Sequence, residues 1–209
     1  MTPYMTFKTK ISILTLLLVI SIASPLSSVS ASGSVLVLSE LRYPTSVVNP
    51  DKYEYDEADV LLKLSIESLV TLPITQQPRG NSNFVSTLKD YVTEFQVAAD
   101  YGTVGLLAHN YLAGRYFFQI LPGQEITLVY SGQRTERFVV TEIQEYQALV
   151  PESPSSDFID LTTGNYLTVS QLFKNIYRNQ PGYLILQTCI STQESPSWGR
   201  LFIIAEPAE

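Results

Sequence analysis

Side chains able to do nucleophilic chemistry are few in this chain: one cysteine, Cys189, and one histidine, His109, among 209 residues. Cys189 closes the apolar run "LILQTC" just before the polar stretch "STQESPS", and His109 closes the run "VGLLAH". A lone cysteine has three readings: an inert thiol filling a core, half of an intermolecular disulfide, or a reactive nucleophile. A thiol attacks as its thiolate, which forms readily only beside a cation or a base. Histidine can be that base, although a lone histidine is equally a surface or satisfied side chain. Acyl transfer also needs a donor where negative charge develops on the reacting carbonyl. Arg200 opens the next apolar run, "RLFIIAE", across a ten-residue loop. A hairpin there would return its guanidinium towards the thiol, whereas an arginine alone at a strand start is a solvated gatekeeper. If Cys189 is the nucleophile, an alkylating reagent is expected to label it faster near neutral pH than a free thiol, and His109→Ala to slow that labelling.

The elements that must position them are mostly strands. Residues 60–75, "VLLKLSIESLVTLPIT", read as one or two strands, with Pro73 near an edge or a strand end because it cannot donate to a ladder. Residues 103–110, 124–132 and 134–149 are three more strand patterns divided by "LPG" and "SGQ" turn signals. Runs joined by short turns predict antiparallel pairing and a closed or nearly closed barrel. In 84–97 the apolar residues at 84, 85, 88, 91, 92 and 95 predict one helix. The segment 150–182 interrupts the sheet; Thr168 followed by Gln171 predicts a capping box opening a short helix through 179. A long segment of this kind is a candidate for function. Cys189, His109 and Arg200 are expected at one mouth of the barrel, with Trp198 and 150–182 walling the adjacent groove.

Composition bounds the rest. The chain is 45% hydrophobic and 16% charged, an ordinary globular balance. A net charge of −7 argues against nucleic acid, whose phosphates need a basic face. Residues 1–31 pair Lys8 and Lys10 with the apolar run "ISILTLLLVISIA" and the small residues "SSVSAS", which reads as a secretory signal peptide, or else an uncleaved anchor. Either places the remainder outside the cytoplasm, with the membrane touched only through this segment. Residues 32–58 read as an extension or linker, and 59–209 as the barrel domain.

These residues resemble the sortases. "LILQTC" followed by "SWGRLFIIAE" is similar to the family signature of a strand ending Thr-Cys, a Trp-containing loop and a strand opened by arginine. "GTVGLLAHN" resembles the family's histidine strand, with Ala108 where glycine is usual, and "LLKLSIESLVTLPI" resembles its first barrel strands. The resemblance spans 60–206 in the same order. It implies an all-β-dominated fold: a closed eight-stranded barrel with one or two short helices in the connections. It also implies a cysteine transpeptidase of the bacterial cell surface, secreted or anchored at the outer face of the membrane. Cys189 would then be the nucleophile, His109 the general acid/base and Arg200 the donor to substrate backbone and oxyanion, with Thr188 and Trp198 contacting substrate. The implied partners are an LPXTG-like sorting signal, cleaved through a thioacyl intermediate, and an amine acceptor on cell wall or pilin. No cofactor is expected; Glu142, Glu145 and Glu152 are available for calcium but form no clear motif. "LPIT" at 72–75 mimics a sorting signal but lacks the following glycine, so the chain is expected to be the enzyme and not its cargo. Two alternatives stay open: a secreted barrel of this shape that binds without turnover, and a hydrolase that resolves the thioacyl enzyme with water.

Overall fold

The computed structural model describes residues 59–209 other than Arg79; the signal-peptide and linker readings of 1–31 and 32–58 lie outside them. Among the described residues ten strands form one sheet: β1 (Leu61–Ile66), β2 (Val70–Gln76), β3 (Val92–Glu94), β4 (Val104–Leu107), β5 (Glu125–Tyr130), β6 (Thr135–Ala148), β7 (Phe158–Asp160), β8 (Tyr166–Leu167), β9 (Leu184–Ile190) and β10 (Gly199–Pro207). Their order is β10-β9-β4-β3-β2-β1-β5-β6-β7-β8, and β10 also pairs with β6. That pairing closes eight strands into the expected barrel and leaves β7 and β8 as an outlying flap.

Alternation along the strands decides what faces inward. In β5 the buried residues Ile126, Leu128 and Tyr130 point into the barrel, where they meet Leu64 and Ile66 of β1 and Leu184 and Leu186 of β9. Ile185 of β9 and Phe202 and Ile204 of β10 take the opposite parity and belong to a second apolar cluster on the outer face of the barrel. β6 feeds both clusters. Phe138 and Val140 belong to the barrel interior, whereas Tyr146 and Ala148 belong to the outer cluster. The switch is a bulge: Ile204 pairs with Glu142 but Ala205 with Val140, so Thr141 is the extra residue and reverses parity beyond it.

The outer cluster is covered by 150–182. Thr168 caps α2 (Val169–Phe173), its hydroxyl accepting from the Gln171 N–H while Gln171 reaches back to the Thr168 N–H, which is the expected capping box. A π-helical turn, Lys174–Arg178, continues it. Leu172, Ile176 and Tyr177 from these turns pack with Phe158, Ile185 and Phe202.

Two expectations fail, and one element is unannounced. No helix spans 84–97: the segment is irregular until β3, and α1 covers only Gln96–Ala99. Leu88, counted in the apolar face, is 58% exposed, while Val92 and Thr93 are buried between β2 and β4. Sheet pairing on both sides thus overrides the helical spacing. The barrel is also not wholly antiparallel, because β2 pairs with β3 and β4 with β9 in parallel. Finally, residues 113–119 form a 3₁₀ helix, Ala113–Gln119, that no pattern announced. Pro73 does lie where β2 is paired on one side only, since pairing with β3 starts at Ile74.

Candidate active site

β4 and β9 run side by side in parallel, with Leu107 opposite Gln187, and the Ala108 N–H donates to the Gln187 carbonyl (3.1 Å). One step further, the Thr188 hydroxyl donates to the Ala108 carbonyl (2.8 Å). The same register therefore carries His109 to the level of Cys189. On the other side of β9, Cys189 and Arg200 are direct cross-strand partners. In both ladders residues two apart share a face, which adds Leu107, Gln187 and Phe202 to the same outer surface. All of these line one cavity of about 600 Å³ between the barrel and the covering segment, a volume suited to a small ligand or a short stretch of peptide. Histidine, cysteine and arginine thus share the cavity, on the outer face of the strands at their ends rather than inside the barrel mouth.

Aromatic rings of the second cluster build its apolar side. Tyr177 packs against Phe95 (5.3 Å between centroids), Phe173 (5.2 Å) and Phe202 (6.4 Å). The Tyr177 hydroxyl donates to Gln187 Oε1 (2.7 Å), so the residue two before the cysteine is held from the covering segment. Pro151, Glu152, Ser153 and Pro154 add a second rim.

Arg200 is anchored by backbone. Its Nη1 donates to the carbonyls of Ser197 (2.8 Å) and Gly199 (2.9 Å), and its Nη2 to that of Pro151 (3.2 Å). Among the described residues no carboxylate lies within ion-pair distance of it. Its charge therefore stays available to whatever anion forms in the cavity. Glu152, on the same rim, accepts from the Ser197 hydroxyl (2.8 Å).

Burial pushes the Cys189 thiol above its ordinary pKa, the Arg200 charge pulls it down, and the Glu152 carboxylate pushes it up again. The net direction is upward. This direction runs against the expectation of unusually fast alkylation, since it favours the protonated thiol. Proton removal must then accompany attack.

The His109 ring stacks on Tyr111, with centroids 5.3 Å apart and planes at 25°. Its backbone carbonyl accepts from the N–H groups of Leu112 and Gly114 (both 3.0 Å), a tight turn leading into the 3₁₀ helix. A Cβ on Gly114 would sit 2.2 Å from Thr188 Oγ1 and 2.8 Å from the His109 carbonyl oxygen, so this turn requires glycine. Asn110 Nδ2 donates to the Pro196 carbonyl (3.0 Å), tying the turn after His109 to the loop between Cys189 and Arg200.

Two sequence-derived site residues are placed differently. Thr188 is 2% exposed and its hydroxyl clips β9 to β4; its parity points it into the barrel, beneath the site. Trp198 is half-buried and its carbonyl accepts from the Ala148 N–H (2.9 Å), but it is not among the residues lining the cavity. The residues that strand reasoning missed were recoverable from parity: Gln187 and Leu107 lie two before Cys189 and His109, and Phe202 two after Arg200. Tyr177 gave no such signal. Among the described residues no group of three or more His, Cys, Asp or Glu side chains is arranged to hold a metal ion, and Glu142, Glu145 and Glu152 make no such group.

Solved sortase structures are similar to this chain. Sortase C-1 from Actinomyces oris shares 16% identity, with 73% of this chain and 75% of that one covered and a TM-score of 0.49. Sortase A from Corynebacterium diphtheriae shares 14%, covering 72% of this chain and 61% of that one, with a TM-score of 0.49. For sortase C from Clostridium perfringens the identity is 16%, the coverage 73% and 71%, and the TM-score 0.44. No protein-family model and no curated protein matches the sequence.

Proposed function

We propose that the chain is a sortase-like cysteine transpeptidase with Cys189 as nucleophile, His109 as general acid/base and Arg200 as oxyanion donor. One observation carries the reading: the chain's single cysteine and single histidine line one cavity together with an arginine that has no carboxylate partner among the described residues. The motif around "QTC" and "GRLFIIAE" adds to it independently.

The chemistry follows from those three groups. A neutral thiol gives its proton to the imidazole as Sγ attacks the scissile carbonyl carbon, so that the thiolate forms only as the new C–S bond does. The carbonyl oxygen becomes negative, and the Arg200 guanidinium offers it a charged donor in a partly water-excluded site. Collapse of the tetrahedral adduct breaks the C–N bond, and the imidazolium returns its proton to the departing amine. A second amine then attacks the thioacyl carbon, loses its proton to His109 and releases the thiol. The substrate is an LPXTG-like sorting signal, and the acceptor is an amine on cell wall or pilin. The apolar wall around Tyr177 and Phe202 suits the apolar residues of such a peptide. In this reading the domain works outside the cytoplasm, delivered there by 1–31.

Incubation of the protein with a library of sorting-signal peptides, with and without triglycine as acceptor, tests the reading. Mass spectrometry should find an acyl adduct on Cys189 that is absent in Cys189→Ala, and triglycine should convert it to a transpeptidation product. An adduct resolved by water alone would make the protein a hydrolase. No adduct across the library would overturn the catalytic reading and leave a binding barrel.

A further inference from the structure

A second cleft, of about 570 Å³, lies on the other side of α2 and the π-helical turn, and none of its lining residues is shared with the cysteine cavity. The two clefts divide the helical element between them. Leu172, Phe173 and Ile176 line the first, while Gln171, Lys174 and Asn175 line the second. The opposite side comes from Asp160, Asn165 and Tyr166, at the end of β7 and the start of β8.

The polar groups here are mostly uncommitted. The side chains of Asn165, Lys174 and Asn175 make no hydrogen bond to any described residue, and Gln171 spends its Oε1 on Thr168 while its Nε2 makes none. Asp160 uses Oδ1 to accept from the N–H groups of Thr162 (2.8 Å) and Thr163 (3.1 Å), leaving Oδ2. Tyr166 is 56% exposed, yet its ring is not free to swing. Its hydroxyl donates to Asp157 Oδ2, and Asp157 Oδ1 in turn accepts from the Val169 N–H (2.9 Å) at the start of α2. An exposed ring held in one orientation is a platform. The adjoining π-helical turn is a local irregularity of the kind often retained at binding sites.

These features narrow the ligand. One lysine on a chain of net charge −7 does not attract a polyanion. The lining is too polar for an apolar ligand, and three planar amides around a fixed ring offer paired donors and acceptors beside an apolar face. Sugars present that combination: hydroxyl and acetamido groups around the rim of each ring and C–H groups on its face. We propose that this cleft is a saccharide-binding site, with Tyr166 stacking against a sugar ring and Asn165, Gln171 and Asn175 bonding its hydroxyl or acetamido groups. The inference is independent of the role assigned to Cys189.

The test is an amide NMR titration of the full chain with chitotriose, with maltotriose and trialanine as comparisons. Saturable shifts should centre on 160–175 with chitotriose. Tyr166→Ala should weaken binding at least tenfold, Tyr166→Phe should weaken it less because the ring remains although the bond that fixes it is lost, and Asn175→Ala should weaken it several-fold. Cys189→Ala should bind like the unaltered chain. Should Tyr166→Ala fail to fold, Asn175→Ala and Gln171→Ala decide, since both side chains are exposed and leave the core intact. No saturable shift with either sugar would overturn the proposal, as would shifts centred on the Cys189 cavity, equal shifts with trialanine, or full binding by folded Tyr166→Ala or by the two amide variants.

Discussion

At the scale of single residues, the thiol of Cys189 is held in balance by burial and two charges, and either charge can be removed. Burial raises its pKa, Arg200 lowers it and Glu152 raises it. Glu152 is exposed, so solvent and salt weaken its effect. Replacing it by glutamine should speed labelling of Cys189 by neutral iodoacetamide at pH 7 to 8 by about two- to five-fold, and added salt should shrink the difference. Arg200→Ala should change labelling in the opposite direction. Labelling of the unaltered protein should rise with pH along a curve whose midpoint lies above that of a free thiol. A midpoint below it would show that the resting residue is a thiolate. His109→Ala should lower thioacyl formation from a peptide by about 10²- to 10⁴-fold, because a protonated thiol needs a base at the moment of attack. Equal rates in the variant would remove His109 from the chemistry.

At the scale of elements, the site depends on close approaches at two glycines. On the outer face of β4, a Cβ at Gly105 would meet Ala98 Cβ at 2.8 Å and Tyr177 Cε1 at 3.3 Å, so glycine lets α1 and the π-helical turn settle on the sheet. Gly114 does the same for the turn after His109. Gly114→Ala should cost about 1–3 kcal/mol of stability, because Thr188 Oγ1 and the His109 carbonyl are both fixed by hydrogen bonds and cannot yield cheaply. A thermal melt reads that loss directly. Thr168→Ala should cost about 1 kcal/mol through the lost cap of α2. How much of this could be read from sequence depends on whether a feature is local. The capping box at Thr168 and Gln171 is set by neighbouring residues and was legible, and 60–75 was legible as strand although not as the two strands of a hairpin. The parallel partners of β4 and β2 come from distant parts of the chain, and β3 lies in a stretch whose spacing favoured a helix. For the site, strand ends marked Cys189, His109 and Arg200, and parity could have added Gln187 and Phe202. The same alternation turns Thr188, the neighbour of Cys189, to the opposite face, whereas nothing local indicated that Tyr177 would reach Gln187, which follows from what covers the strands.

At the scale of the whole molecule, the barrel interior and the outer cluster each bury tyrosine hydroxyls, and this sets a limit to stability at high pH. Tyr130 is buried in the barrel and Tyr146 and Tyr177 in the outer cluster, at 8%, 5% and 3% exposure. Each hydroxyl is a donor: Tyr130 to Glu136 Oε2 (2.6 Å), Tyr146 to Gln144 Oε1 (2.8 Å) and Tyr177 to Gln187 Oε1 (2.7 Å). Ionisation would remove the donated proton and leave a charge that burial disfavours, as do the Glu136 carboxylate at Tyr130 and the Asp160 and Glu142 carboxylates at Tyr146. Burial accordingly raises all three, Tyr146 to about 12 and the other two further. In the unfolded chain they titrate near the ordinary value of about 10. Below that pH both states hold the protons and the tyrosines impose no penalty. Above it the unfolded state releases protons that the folded state keeps, so stability falls as pH rises from about 10 towards 12, by at most about 1.4 kcal/mol per tyrosine for each pH unit. Urea midpoints at pH 8, 9.5, 10.5 and 11.5 should therefore be flat at first and then drop. Lysine deprotonation adds to any alkaline transition, so the decisive comparison is Tyr177→Phe. Losing the bond to Gln187 should lower its stability at pH 8, and its midpoint should fall less steeply above pH 10 than that of the unaltered protein. Parallel curves for the two proteins would show that Tyr177 does not couple folding to pH.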